Sequence, residues 1–174
     1  MRFMSTDAPQ DPLHFYLDKS NRPAWKAIGA LSDAARTQAL DSGLDSQLVE
    51  LVMLRVSQIN GCSYCLDVHT KRAAAAGLSD QRRGLVSAWR DAAVYSEKEK
   101  AALALAETVT LLPGPEDRDA CQVVSHGALS DEQYSAVQWL AITINTTNRI
   151  SIMSHHRSGG RRTCLLYTSD AADD

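Results

Sequence analysis

The stretch Gln47–Asn60, QLVELVMLRVSQIN, constrains this chain more than any other. Its apolar residues fall on nearly every side of a helix, so no face can be left wholly to water. Such a helix must be central, with other elements wrapped around it. Gly61 follows as a stop. One charge, Glu50, stands inside the run, flanked by Val49, Leu51 and Val52, with Met53 and Leu54 about one turn on. A carboxylate in that company must be paired or have its pKa raised.

The remaining segments also read as helices. Pro23 suits a first helical turn, and Trp25, Ile28, Leu31 and Ala35 recur after it at three- and four-residue steps. Gly43 is a stop and Asp45 or Ser46 the next cap. A helix from about Cys62 to Ala76 ends at Gly77, and Ser79 caps a short one over QRRGLVSAW. Ser96 with Glu99 forms a capping box for a long helix, SEKEKAALALAETVTLL. LPGPED reads as a turn. A helix around Asp117–His126 follows, then a cap at Ser130 and a last helix through DEQYSAVQWLAITINTTNRISIM. No segment shows strand alternation. The pattern predicts a single all-α domain of about six or seven helices over residues 23–156, after a loose segment 1–22. From Arg157 the periodicity stops and the sequence jumps from basic to acidic. Residues 157–174 read as an unstructured tail, either a native one or a non-native run-on.

A length of 174 residues suits one domain with a real core. The formal net charge of -3 gives no reason to expect nucleic acid or an anionic membrane as partner. No apolar run approaches the ~20 residues of a membrane span, and the polar start has no secretory pattern. Four cysteines are too few for a disulfide scaffold in a chain of this size. At a cytoplasmic address a close cysteine pair points to redox or metal chemistry instead.

That pair lies in NGCSYCLDVH, Asn60–His69. Steps of three, four and seven put Cys62, Cys65 and His69 on one face of a helix. Cys62 would fall in its first turn, where free N–H groups and the dipole favour a thiolate. His69 lies one turn beyond Cys65 and can exchange a proton with it. Glu50, if its helix packs alongside, can accept that proton or orient His69. A zinc site would need a fourth ligand from Cys121, His126 or the His155/His156 pair. Haem attachment would need His where Leu66 stands. Trp25, Trp89 and Trp139 read as core or subunit-interface residues, Cys121 as a small buried hydrophobe and His126 as a cation at a helix C-terminus. Lys71 and Arg72 read as a solvated face, and Arg55 as a structural ion pair or subunit contact.

Glu50, Cys62, Cys65 and His69 stand in the order Glu, eleven residues, Cys, two residues, Cys, three residues, His. ELVMLRVSQINGCSYCLDVHTKRAAAAGLSD resembles the core of the alkylhydroperoxidase D-like branch of the carboxymuconolactone decarboxylase superfamily. SEKEKAALALAETVT and AITINTTNRI are similar to its later segments, so the resemblance covers roughly Pro23 to Ile152. It implies an all-α fold, a homo-oligomer (trimer or hexamer) and thiol-dependent reduction of hydroperoxides without a bound cofactor. Cys65 would attack the peroxide, Cys62 would resolve it into a disulfide, and His69 and Glu50 would relay the proton. The implied partners are a hydroperoxide and a lipoyl or thioredoxin-like dithiol reductant. The alternatives are a lyase like the superfamily's decarboxylases, which typically lack the cysteine pair, and a non-redox member binding zinc or a small molecule. Tyr64 departs from the pattern, since several peroxidases of the branch carry histidine there. Thr147 stands where an aromatic is frequent.

Overall fold

The computed structural model describes residues 15–158. Eight α-helices and one 3₁₀ turn make up the described chain: α1 (Leu17–Ser20), α2 (Arg22–Asp41), α3 (Ser46–Asn60), α4 (Ser63–Ala75), α5 (Asp80–Leu85), the 3₁₀ turn Val86–Ala88, α6 (Glu97–Leu111), α7 (Pro115–Ala128) and α8 (Asp131–Met153). The fold is all-α, with no strand among the described residues.

α3 is the axis of the bundle. From Leu48 to Ser57 every residue except Arg55 is buried. It packs on α8, α4 and α6, with α2 crossing α8 beside it. Leu51, Val52 and Val56 meet Leu103, Leu105, Val137 and Leu140 in one core. Burying each such side chain stabilises the fold by about 1.5–3 kcal/mol, which is why an all-round apolar helix ends up in the middle.

The helix ends follow the expected chemistry. Asp45 caps α3 by accepting the Leu48 N–H at 2.8 Å. Capping boxes close Ser96 with Glu99 and Ser130 with Gln133. Gly43, Gly61 and Gly77 all take positive φ.

Several boundaries differ from the sequence reading. The end of the loose segment contains α1, and Asn21 rather than the chain before it caps α2. Residues 1–14 lie outside the described region, as do 159–174 of the tail. α7 starts inside the anticipated turn, because Pro115 at its first position and Glu116 and Asp117 in its first turn favour a helix start. Cys62 is the N-cap of α4, one position outside the first turn. The stripe on α2 is buried only at Ala35 and Ala39; Trp25 and Leu31 face outward. Trp89 is core, but Trp139 is 43% exposed and Trp25 41% exposed, so neither belongs to the core of the single chain.

Candidate active site

α3, α4 and α2 bring the site together. Gly61, with φ of 68°, ends α3 in the left-handed conformation and turns the chain straight into α4. Cys62 and Cys65 form a disulfide there, with Cα atoms 5.3 Å apart. The Cys65 N–H points at Cys62 Sγ, 3.3 Å away. Both cysteines are buried, as is His69 one turn further along α4.

Glu50 reaches this helix from α3. It has no solvent exposure, and its Oε2 lies 2.8 Å from His69 Nδ1. The structure thus joins Glu50 to His69 and Cys62 to Cys65, with His69 one turn beyond Cys65 on α4. The sequence reading did not find the fifth residue. Arg36 of α2 donates from Nη1 to Glu50 Oε1 at 2.7 Å. Nothing local announces this arginine, since its partner belongs to another helix.

Burial alone would raise the Glu50 pKa, but hydrogen bonds from His69 and Arg36 outweigh it and leave the carboxyl below its usual 4.5. Glu50 is therefore an anion near neutral pH and accepts from Nδ1–H of His69. In the neutral ring Nε2 is then the unprotonated nitrogen, available as a base. A carboxylate that accepts from Nδ1–H fits the orienting role read from the sequence.

Two polar features flank the pair. Asn60, just before Gly61, donates to Asn145 Oδ1 and Asn148 Oδ1 of α8, each at 2.9 Å, and buried Asn148 donates to Ser57 Oγ at 3.1 Å. The network anchors the end of α3 where the chain turns into the cysteines. Asparagines inside a helical run were the available signal, since such residues are disfavoured there without partners. On the other side, the Tyr64 ring meets His156 edge-on at 5.3 Å, and His156 stacks on Tyr16 at 5.7 Å. His156 Nε2 lies 3.3 Å from Asp18 Oδ1, and the Leu17 N–H bonds Ser154 Oγ at 3.0 Å. Both flanks of the described chain thus come together through His156, which touches Tyr16 and, next to Cys65, Tyr64.

A second buried carboxylate lies elsewhere. Glu107 of α6 accepts from Arg55, Arg90 and, at 2.8 Å, Trp89 Nε1. Arg55 is thus the structural ion pair that its apolar surroundings suggested. Burial would raise the Glu107 pKa; the bonds from Trp89, Arg90 and Arg55 prevail and leave it lowered. Glu107 lines a cleft of about 480 Å³ between α6 and α7, together with Cys121. None of Glu50, Cys62, Cys65 or His69 reaches this cleft. Cys121 is partly exposed, contrary to its reading as a small buried hydrophobe, on a helix that packs mainly against α6. Among the described residues, no three His, Cys, Asp or Glu side chains gather as a metal ion would require.

Fold and site together define an all-α protein with a C-x-x-C disulfide beside a buried Glu–His pair. The profile of the carboxymuconolactone decarboxylase family matches residues 25–108. The chain is 37% identical over 120 residues to the uncharacterized protein YdfG of Bacillus subtilis, covering 69% of this chain and 82% of that one. It is 31% identical over 72 residues to the uncharacterized protein YnjA of Escherichia coli, covering 41% of this chain and 40% of that one. Its fold is similar to the crystal structure of ATU0492 from Agrobacterium tumefaciens, a protein of unknown function put forward as an AhpD antioxidant defence protein. That match has a TM-score of 0.76 at 32% identity, covering 85% of this chain and 99% of that one. The chain belongs to the carboxymuconolactone decarboxylase family, in its AhpD-like branch.

Proposed function

We propose that the protein is a thiol-dependent peroxidase that reduces hydroperoxides through Cys62 and Cys65. The observation that carries this reading is the Cys62–Cys65 disulfide on the same helix as His69, whose ring a buried anion orients. The thiolate of Cys65 attacks the peroxide, forming an S–O bond as the O–O bond breaks. The departing alkoxide takes the proton that His69 accepted at Nε2 from the Cys65 thiol, and leaves as an alcohol. Cys62 then attacks the Cys65 sulfenic acid; the S–S bond forms and water leaves. A dithiol reductant, lipoyl or thioredoxin-like, returns both thiols by exchange and is itself oxidised to a disulfide.

The ATU0492 likeness supports an antioxidant role for the family branch. Exposed Trp25, Leu111, Val124, Trp139 and Met153 support a homo-oligomer, which we propose to be a trimer or hexamer acting in the cytoplasm. No helix among the described residues is long and apolar enough to cross a membrane.

The direct test titrates thiols in the reduced protein before and after one equivalent of hydroperoxide. Loss of two thiols per chain, matched by one peroxide consumed and reversed by a dithiol, is the expected result. Unchanged thiols, or lactone turnover that survives Cys65→Ser, would instead point to a lyase of the same family.

A further inference from the structure

Glu50 is bound from two sides by two different kinds of donor, one that can lose its proton and one that cannot. His69 of α4 takes Oε2, and Arg36 of α2 takes Oε1. An imidazole loses its charge within the range where proteins work, but a guanidinium does not. We propose that Arg36 is a positioning residue of the thiol site: it holds the charge on Glu50 constant, so that His69 can take up and return a proton at Nε2 while the buried carboxylate keeps its state. The use of this device in a catalytic cycle rests on the peroxidase reading, whereas its electrostatic action does not.

The argument is one of counter-ions. A fully buried carboxylate needs a positive partner or it becomes neutral. If His69 were the only partner, the Glu50–His69 pair would hold its proton tightly, because giving it up would strand an unpaired charge in the core. Such a ring is a poor base for a thiol. With Arg36 bound to the opposite oxygen, the pair can lose the His69 proton and Glu50 still has a cation within 2.7 Å. The geometry suits this use, since the Arg36 side chain is still 34% exposed while its partner is fully buried. Its desolvation is therefore smaller than that of an arginine in the core.

Among the described residues, His69 and Arg36 are the charged or titratable groups bonded to Glu50. On α4, Asp67 and Lys71 pair with each other at the surface and Arg72 is exposed. On α6, Glu107 is engaged by Arg55 and Arg90, and the charges near the helix start belong to its capping end. The 3₁₀ turn Val86–Ala88 carries none, and Arg149 of α8 bonds to Asn145 on the exposed side. Asp33 of α2 is exposed.

The test compares Arg36→Gln, which retains a hydrogen-bond donor but no charge, with Arg36→Lys, which retains the charge. The full chain is kept oxidised, so that no thiol titrates, and labelled with ¹³C-glutamate; the Glu50 carboxyl signal is assigned with Glu50→Gln. In Arg36→Gln the Glu50 midpoint should rise by about one pH unit or more, and in Arg36→Lys it should stay close to the native value. An unchanged midpoint in Arg36→Gln, or equal shifts in both variants, would overturn the proposal. Should Arg36→Gln fail to fold, the double variant Arg36→Gln/Glu50→Gln decides: folding recovered supports the counter-ion role, and folding still lost assigns Arg36 to packing. Peroxide turnover measured in parallel separates the two readings, since a native protein that consumes no peroxide defeats the peroxidase proposal while leaving the Glu50 titration intact.

Discussion

Cys62 and Cys65 sit three residues apart in different surroundings, and that difference can be read by experiment. Cys62 Sγ is the helix cap and receives a backbone N–H, whereas Cys65 lies one turn before His69. With Cys65 as the attacking sulfur, Cys65→Ser abolishes peroxide consumption. Cys62→Ser gives one turnover and a trapped sulfenic acid, seen by mass spectrometry as a dimedone adduct on Cys65. An adduct on Cys62 in Cys65→Ser, with none on Cys65 in Cys62→Ser, would reverse the order. His69→Ala and Glu50→Gln leave both thiols in place and should slow the peroxide step by about 10²–10⁴-fold, the usual worth of a positioned acid–base group. The four motif residues were legible in the sequence because three share a helix and the fourth is a charge in an apolar run. Arg36 was not, since a long-range partner leaves no trace in local spacing. The anionic state of Glu50 was likewise hidden: burial and pairing push its pKa in opposite directions, and only the geometry shows which prevails.

Among the elements, the turn from α3 into α4 carries the most consequence. A side chain at Gly61 would meet no atom within 4 Å, so the glycine is required by its backbone and not by space. Gly61→Ala should therefore cost about 1–2 kcal/mol through its left-handed conformation, measured by urea unfolding, with Gly61→Asn less affected. Capping residues and glycine stops made most helix boundaries readable, because each acts within a turn of itself. The start of α7 was misjudged because a proline can end one segment or begin the next, and the short α1 because four residues are too few to show a period. At the other flank, the sequence reading ended the domain at 156, and the buried Ser154 and the His156 stack lie just inside that boundary. Ending the chain after Met153 should lower its melting temperature relative to a chain ending after Ser158, and equal values would mean that these contacts contribute nothing.

At the scale of the whole molecule, two buried carboxylates set the response to acid. Glu50 and Glu107 both titrate lower in the folded chain than their ordinary 4.5. The stability they supply is complete above that value and is lost as pH falls through the folded values. Thermal melts should stay level from neutrality to about pH 5 and drop below 4.5, and Glu107→Gln should flatten part of that drop. Assembly is tested separately: light scattering should give a mass several times the 19.0 kDa chain, and a monomer at micromolar concentration would sink the oligomer. Lastly, the position of His156 between Tyr16 and Tyr64 has a practical side. The two flanks of the described chain share one corner of the bundle, and that corner adjoins the residue before Cys65. A fluorescent label attached at Tyr16 or His156 should change its emission when the disulfide is reduced, and an unchanged signal would mean that this corner does not sense the sulfurs. The same corner is the wrong place for a bulky purification handle.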